Sequence, residues 1–139
     1  MNNLRYKELK QKLGADAASS IYINFVQAYS LHVARLDPDI FNPVETQNSA
    51  ALAKVLEIYE SETEHEFPQD IATQLSEILR SMARTWESTT ARLLRQAKGA
   101  PLDAGLGLVI QVMAFGLGEG ECGTGTLQLI DAVSYTHLT

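Results

Sequence analysis

The chain is short of cysteine, of positive charge and of long apolar runs. A single cysteine, Cys122, among 139 residues rules out an intrachain disulfide and fits a reducing cytoplasm. Eleven Lys and Arg against 17 Asp and Glu give a formal net charge of −6, a balance that repels nucleic acid unless a basic patch is set apart. The basic residues that do recur, Arg80, Arg84, Arg92, Arg95 and Lys98, are spaced along one predicted helix and read as a solvated face. No apolar run approaches the ~20 residues that span a bilayer. Residues 1–12 are polar and lack the apolar core of a signal peptide, so the expectation is a soluble, cytoplasmic protein with neither membrane nor nucleic acid as partner. The three histidines, His32, His65 and His137, are not placed near Cys122 by any local motif, which leaves that cysteine as a small turn residue rather than a nucleophile. No internal repeat is visible.

What is present is enough for a core. Hydrophobic residues make up 45% of the chain and charged residues 20%. The four prolines, Pro38, Pro43, Pro68 and Pro101, fall at breaks between periodic segments. Asp16 opens a helix predicted over residues 17–36, with Ile21, Phe25, Tyr29, Val33 and Leu36 on one face. Leu52, Val55, Leu56 and Tyr59 predict a second over 48–60, which runs into an acidic stretch, Glu57 to Glu66. Read as a metal site, that stretch offers only one imidazole, His65, and a solvated helix end suits it better. Asp70 caps a third helix over 70–97, whose apolar positions Ile71, Leu75, Ile78, Leu79, Met82, Trp86, Leu93 and Leu94 predict a core-facing stripe. Trp86 at this spacing reads as core.

Beyond Gly99 the pattern changes. Residues 106–115 are a continuous apolar run with one polar side chain, Gln111, and residues 124–130 alternate. Between them, five of the nine glycines lie in positions 116–125. Two such runs around a glycine-rich loop predict an antiparallel hairpin. The fold class expected is therefore α+β, a helical part over 17–98 followed by a strand pair over 105–130. An amide within an apolar strand must find partners, because leaving it buried and unpaired costs roughly 1–3 kcal/mol. Neighbouring backbone supplies them, or a nucleotide edge does. The loop carries Glu119 and Glu121 but lacks the Lys and Ser/Thr of a phosphate-binding loop, and reads as a hairpin connection.

From Phe67 to Gly125 the chain resembles the ATP-binding N-terminal region of pyruvate, phosphate dikinase. The resemblance rests on Phe67-Pro68-Gln69-Asp70, Trp86, Arg95, Ala100-Pro101, Gln111 and Met113 in a VQ-x-M pattern, Phe115-Gly116 and Cys122-Gly123-Thr124-Gly125. A second patch, Tyr22, Phe25, Val26 and Gln27, resembles the family's Y-x-x-F-I-Q helix. Cys122 stands where the family has Ser, Thr90 where it has Arg, and Gly105-Leu106-Gly107 where it has GTA. The family's FTR after the loop is absent. The resemblance implies part of an ATP-grasp-like nucleotide-binding domain over residues 1–131, with Gln111 and Met113 as nucleotide-binding residues and no catalytic or metal-binding residue of its own. The parent it implies is a homo-oligomeric enzyme that uses ATP, phosphate and Mg²⁺ to convert pyruvate to phosphoenolpyruvate through a phosphohistidine on another domain. Phosphoenolpyruvate synthase and rifampin phosphotransferase share that architecture and remain open. So does a small acidic helical interaction module without catalysis. Residues 132–139 resemble translated adapter and are expected to lie outside the fold.

Overall fold

The computed structural model describes residues 1–44, 48–101 and 103–111. The chain divides into two compact units, 1–109 and 110–139, and the second is described only at Ile110 and Gln111.

The first unit is helical, and its helix boundaries follow capping chemistry. The Asn2 side chain accepts from the Arg5 amide at 2.9 Å and opens α1, Asn3–Leu13. Gly14, at φ 84°, turns the chain directly into α2, Ala15–Tyr29. α2 widens into a π-wound segment, Ser30–Ala34, closed by left-handed Arg35. Pro38 then starts a single 3₁₀ turn, Pro38–Phe41, with the Asp37 side chain accepting from the Asp39 amide. Asn48 caps α3, Ser49–Thr63, Asp70 caps α4, Ile71–Trp86, and Ser88 caps α5, Thr89–Ala97. The first helix expected from sequence thus spans α2 and the π segment. The expected third helix is two, broken at Glu87-Ser88, and α1 is an addition.

The core is built on α2, which packs against α1 on one side and α3 on the other. Tyr22, Ile23, Val26 and Tyr29 of α2 meet Ala51, Leu52, Val55 and Tyr59 of α3, together with Phe41 and Phe67. Phe67 is the hub. Its ring lies edge-on to Tyr59 at 5.1 Å, Tyr29 at 5.3 Å, and Tyr22 and Phe25 at 6.1 Å. Edge-to-face rings add roughly 0.5–1.5 kcal/mol per pair beyond the area they bury.

α4 docks through its polar side. Gln74 and Ser81 are its buried residues, and Ser81 donates its hydroxyl to the His32 carbonyl at 2.5 Å. That carbonyl belongs to the last turn of the π segment, where no further helical N–H arrives. Gln74 donates to the Met1 and Pro68 carbonyls, both at 2.6 Å, and Tyr29 donates to the Glu77 carboxylate. The apolar stripe lies roughly a third of a turn around the helix from these groups, at 3.6 residues per turn. Ile71 is 52% exposed and Met82 42%. Most of the stripe expected to face the core therefore faces outward, while Ile78 at its edge packs against the core and Leu79 is half-buried.

The α+β class is overturned: among the described residues there are five α-helices and no strand. Residues 106–111, the first six positions of the expected strand 106–115, have no regular structure, with Val109 86% and Ile110 71% exposed. An apolar run becomes a strand only where a partner strand supplies its backbone hydrogen bonds, and none is described here. Residues 112–115, the glycine-rich loop, 124–130 and 132–139 lie outside the described residues.

Asp70 offers a direct check on α4. Its carboxylate accepts from the Thr73 hydroxyl at 2.7 Å and the Thr73 amide at 2.8 Å, which holds it below the usual carboxylate range. A carboxylate depressed in the folded state stabilises above its ordinary titration range, and that contribution is lost as pH falls through it. Asp70→Asn should retain part of the cap and lose the acid dependence, whereas Asp70→Ala should lose both. Urea midpoints measured from pH 7 down to pH 3 distinguish the three proteins.

Candidate functional site

Two places gather the residues singled out by the sequence. The first is the corner between α3 and α4. Phe67 is buried among the aromatic rings, and Gln69, two residues on, is exposed. The Gln69 amide donates to the Tyr22 hydroxyl and the Phe67 carbonyl, each at 3.1 Å, while its oxygen accepts from the Asn3 amide at 2.8 Å. The Asn2 side chain donates to the Gln69 carbonyl at 3.1 Å. The side-chain groups of Gln69 have partners from its own chain, yet the residue is exposed and borders a small hollow of about 190 Å³ with Asn3, Leu56, Glu60, Glu66 and Phe67. Burial pushes the Tyr22 phenol up, and the Gln69 bond partly offsets this.

The second place is the elbow between α4 and α5. Trp86 is half-buried and stands apart from the main core, so its expected role there is corrected. The Arg95 guanidinium lies over the indole, 3.9 Å from its centroid, and donates to the Trp86 carbonyl at 2.5 Å. The indole N–H donates to the Ala104 carbonyl at 3.2 Å. On one side of this pair is an apolar hollow of about 400 Å³ lined by His32, Ser81, Met82, Thr85, Trp86, Ala91 and Leu106. On the other, a more polar hollow is bordered by Arg92, Arg95, Glu87, Asp103 and residues 104–106. Arg80, Arg84, Arg92 and Lys98 are exposed along the two helices, and Arg95 is the member of the basic series that packs.

Gln111 is exposed and lies in the second unit, while Met113 falls outside the described residues. His65 bonds locally, its Nδ1 2.7 Å from the Thr63 carbonyl. Among the described residues no three His, Cys, Asp or Glu side chains converge as a group that could hold a metal ion. No described helix is long and apolar enough to cross a membrane.

The polar contacts of Gln74, Glu77 and Ser81 escaped the sequence reading. Their spacing of three and four places them on one helix face, a signal that was present but outweighed by the stronger apolar stripe beside it. The Tyr29–Glu77 pair is the most perturbed of these. Burial and the adjacent carboxylate both push the Tyr29 phenol far up, and burial followed by Glu77 raises Tyr59 as well.

No protein-family model matches the chain, and no curated protein matches it.

Proposed function

We propose that the chain is part of the ATP-binding region of a cytoplasmic phosphotransferase resembling pyruvate, phosphate dikinase. One observation supports the reading above the others. The two patches that carry the resemblance are more than forty positions apart in sequence, yet they meet: Tyr22 and Phe25 each pack on Phe67 at 6.1 Å, and Gln69 bonds the Tyr22 hydroxyl at 3.1 Å. Segments that touch are constrained together, so likeness in both favours common descent over two separate coincidences.

On this reading the helices are scaffold. Phe67, Gln69 and Asp70 fix the corner from which α4 starts, and the nucleotide edge is met by Gln111 and Met113. An exposed amide can both donate and accept along an adenine or ribose edge. The charged grip on the triphosphate, the Mg²⁺ and the phosphohistidine belong to other parts of the parent, as phosphoryl transfer requires charges that the described helices do not gather. The chain by itself is not expected to turn over ATP. In a protein carrying the remaining parts, Gln111→Ala should weaken ATP binding by about tenfold, the loss of a hydrogen-bonded amide worth roughly 1–2 kcal/mol. An unchanged ATP dissociation constant by calorimetry would refute the assignment.

A second reading, a helical interaction module without catalysis, is favoured by the outward apolar stripe of α4, with Leu93 and Leu94 of α5 60% and 58% exposed. Apolar side chains gathered on a surface mark a contact to be made. The same calorimetry separates the two, since the module binds no nucleotide.

A further inference from the structure

We propose that the outward stripe of α4 is where a second copy of this chain docks, antiparallel and about a two-fold axis, with Ile71 of each copy seated in the apolar hollow between α4 and α5 of the other. This names the partner of the exposed face and does not depend on the nucleotide reading.

α4 meets its own unit through Gln74, Glu77 and Ser81, which leaves another side of the helix unused. At roughly 100° per residue, Ile71, Leu75, Leu79, Met82 and Trp86 fall within about 80° of one another on that side. The stripe runs from the first residue of the helix to the last. Ala72 and Ala83 at its margin are exposed and small. The charged residues of α4 are Glu77, Arg80 and Arg84, and each lies roughly 100° or more from every member of the stripe. Two copies of a chain with net charge −6 repel each other, and they approach at least cost through a face that carries no charge.

The two ends of the stripe are unlike and complementary. At the start of α4, Ile71 projects, 52% exposed. At its end, Met82 and Trp86 border the hollow of about 400 Å³ with Ala91 of α5 and Leu106 of the segment that returns after α5. The hydroxyls of the hollow are engaged within the chain, Ser81 with the His32 carbonyl and Thr85 with the Ser81 carbonyl at 3.0 Å, so its free walls suit an apolar side chain. Ile71 and Met82 are about 16 Å apart along the helix. Turning a second α4 end for end places Ile71 of each copy over the hollow of the other. Leu75 then lies opposite Met82, and the two Leu79 side chains meet near the axis. Every contact occurs twice, as a two-fold interface requires. A parallel copy would set Ile71 on Ile71 and hollow on hollow, and fill neither.

The area is that of a reversible contact. Leu75, Met82 and Leu106 are 37%, 42% and 40% exposed. With Ile71, the two alanines and the half-buried Leu79 and Trp86, they offer on the order of 500 Å² per copy, so that a pair reaches the roughly 1,000 Å² at which specific interfaces begin.

Sedimentation equilibrium of the full chain should show a monomer–dimer equilibrium in the micromolar range. Leu75→Glu and Met82→Lys should each weaken the dimer by about tenfold or more, because each buries a charge against an apolar partner. Mixed in equal amounts, the two variants should recover it. The antiparallel register sets the new carboxylate of one against the new ammonium of the other and leaves the second contact as Leu75 on Met82. Both positions are exposed in the single copy, so helix dichroism should not change. The exchanged pair, Leu75→Lys with Met82→Glu, supplies a second set if one variant does not fold. A parent that stays monomeric up to its solubility limit would overturn the proposal, the stripe then belonging to a different protein. So would a dimer indifferent to both substitutions, which would lie on another face, or a mixture that fails to recover, which would exclude the antiparallel register.

Discussion

Phe67→Ala is expected to destabilise the protein by about 3–5 kcal/mol, the range for deleting a buried phenylalanine ring. The side chain is 4% exposed and meets four other rings, so its removal leaves a cavity that no single neighbour can fill by changing rotamer. The loss falls on a ring cluster that ties α2 and α3 to the segment leading into α4. Phe67→Leu, which restores most of the volume, should cost markedly less. Urea unfolding followed by helix dichroism measures both. A loss near that of an exposed substitution, about 0.5 kcal/mol or less, would mean that the rings do not form a common core.

Alkali is expected to unfold the protein over a narrow pH range, and Tyr29 sets that range. Tyr22, Tyr29 and Tyr59 are all raised above the ordinary phenol value, first by burial, and Tyr29 and Tyr59 also by the Glu77 carboxylate. A group whose pKa is raised on folding gives stability that is complete below its unfolded value, about 10 for tyrosine, and is lost as pH climbs from there toward the folded value. In the folded state the phenols must stay neutral, and Tyr29 donates its proton to a carboxylate that an ionised phenolate would repel. Urea midpoints should be flat from pH 7 to about 9.5 and fall steeply beyond the tyrosine value. Tyr29→Phe should lower stability at neutral pH, since Glu77 loses its donor, and flatten the fall above it. Equal slopes in parent and variant would show that Tyr29 does not carry the dependence.

How much of this was legible depended on what each segment packs against. α3 was readable because Leu52, Val55 and Tyr59 are both its apolar stripe and its buried face. α2 was readable as a helix, but its buried face centres on Tyr22, Val26 and Tyr29, while Ile21 and Phe25, expected at the centre, lie at the margin. α4 misled, because the hydrophobic pattern tells which side of a helix is apolar and not which side meets the core. Its inward side is chosen by Gln74, Glu77 and Ser81, whose partners Met1, Tyr29 and His32 are remote in sequence. The break at Ser88 was signalled by Ser-Thr-Thr, a good cap sequence, but lay inside an apolar period that seemed unbroken across Trp86 and Leu93. Residues 106–111 misled for a different reason: apolar content alone does not fix a backbone conformation, and the expected partner, 124–130, lies outside the described residues. Of the nucleotide-site pair, Gln111 is exposed and Met113 is not described, so that part of the reading rests on the resemblance.

The nine residues of α5 bury no side chain of their own. A helix of that length is marginal in water, because the cost of its first turn is barely repaid by the few that follow. Its persistence is therefore borrowed from the Trp86 contact, while α2 and α3 hold each other through the ring cluster. The molecule should accordingly show a gradient of local opening, with amide protons of α5 and the return after it expected to exchange with solvent through small, frequent fluctuations. Those around Val26 and Val55 wait for the whole domain to unfold. A protease given the native protein meets the end of α5 long before it meets the core, and a chain clipped there keeps its aromatic centre intact.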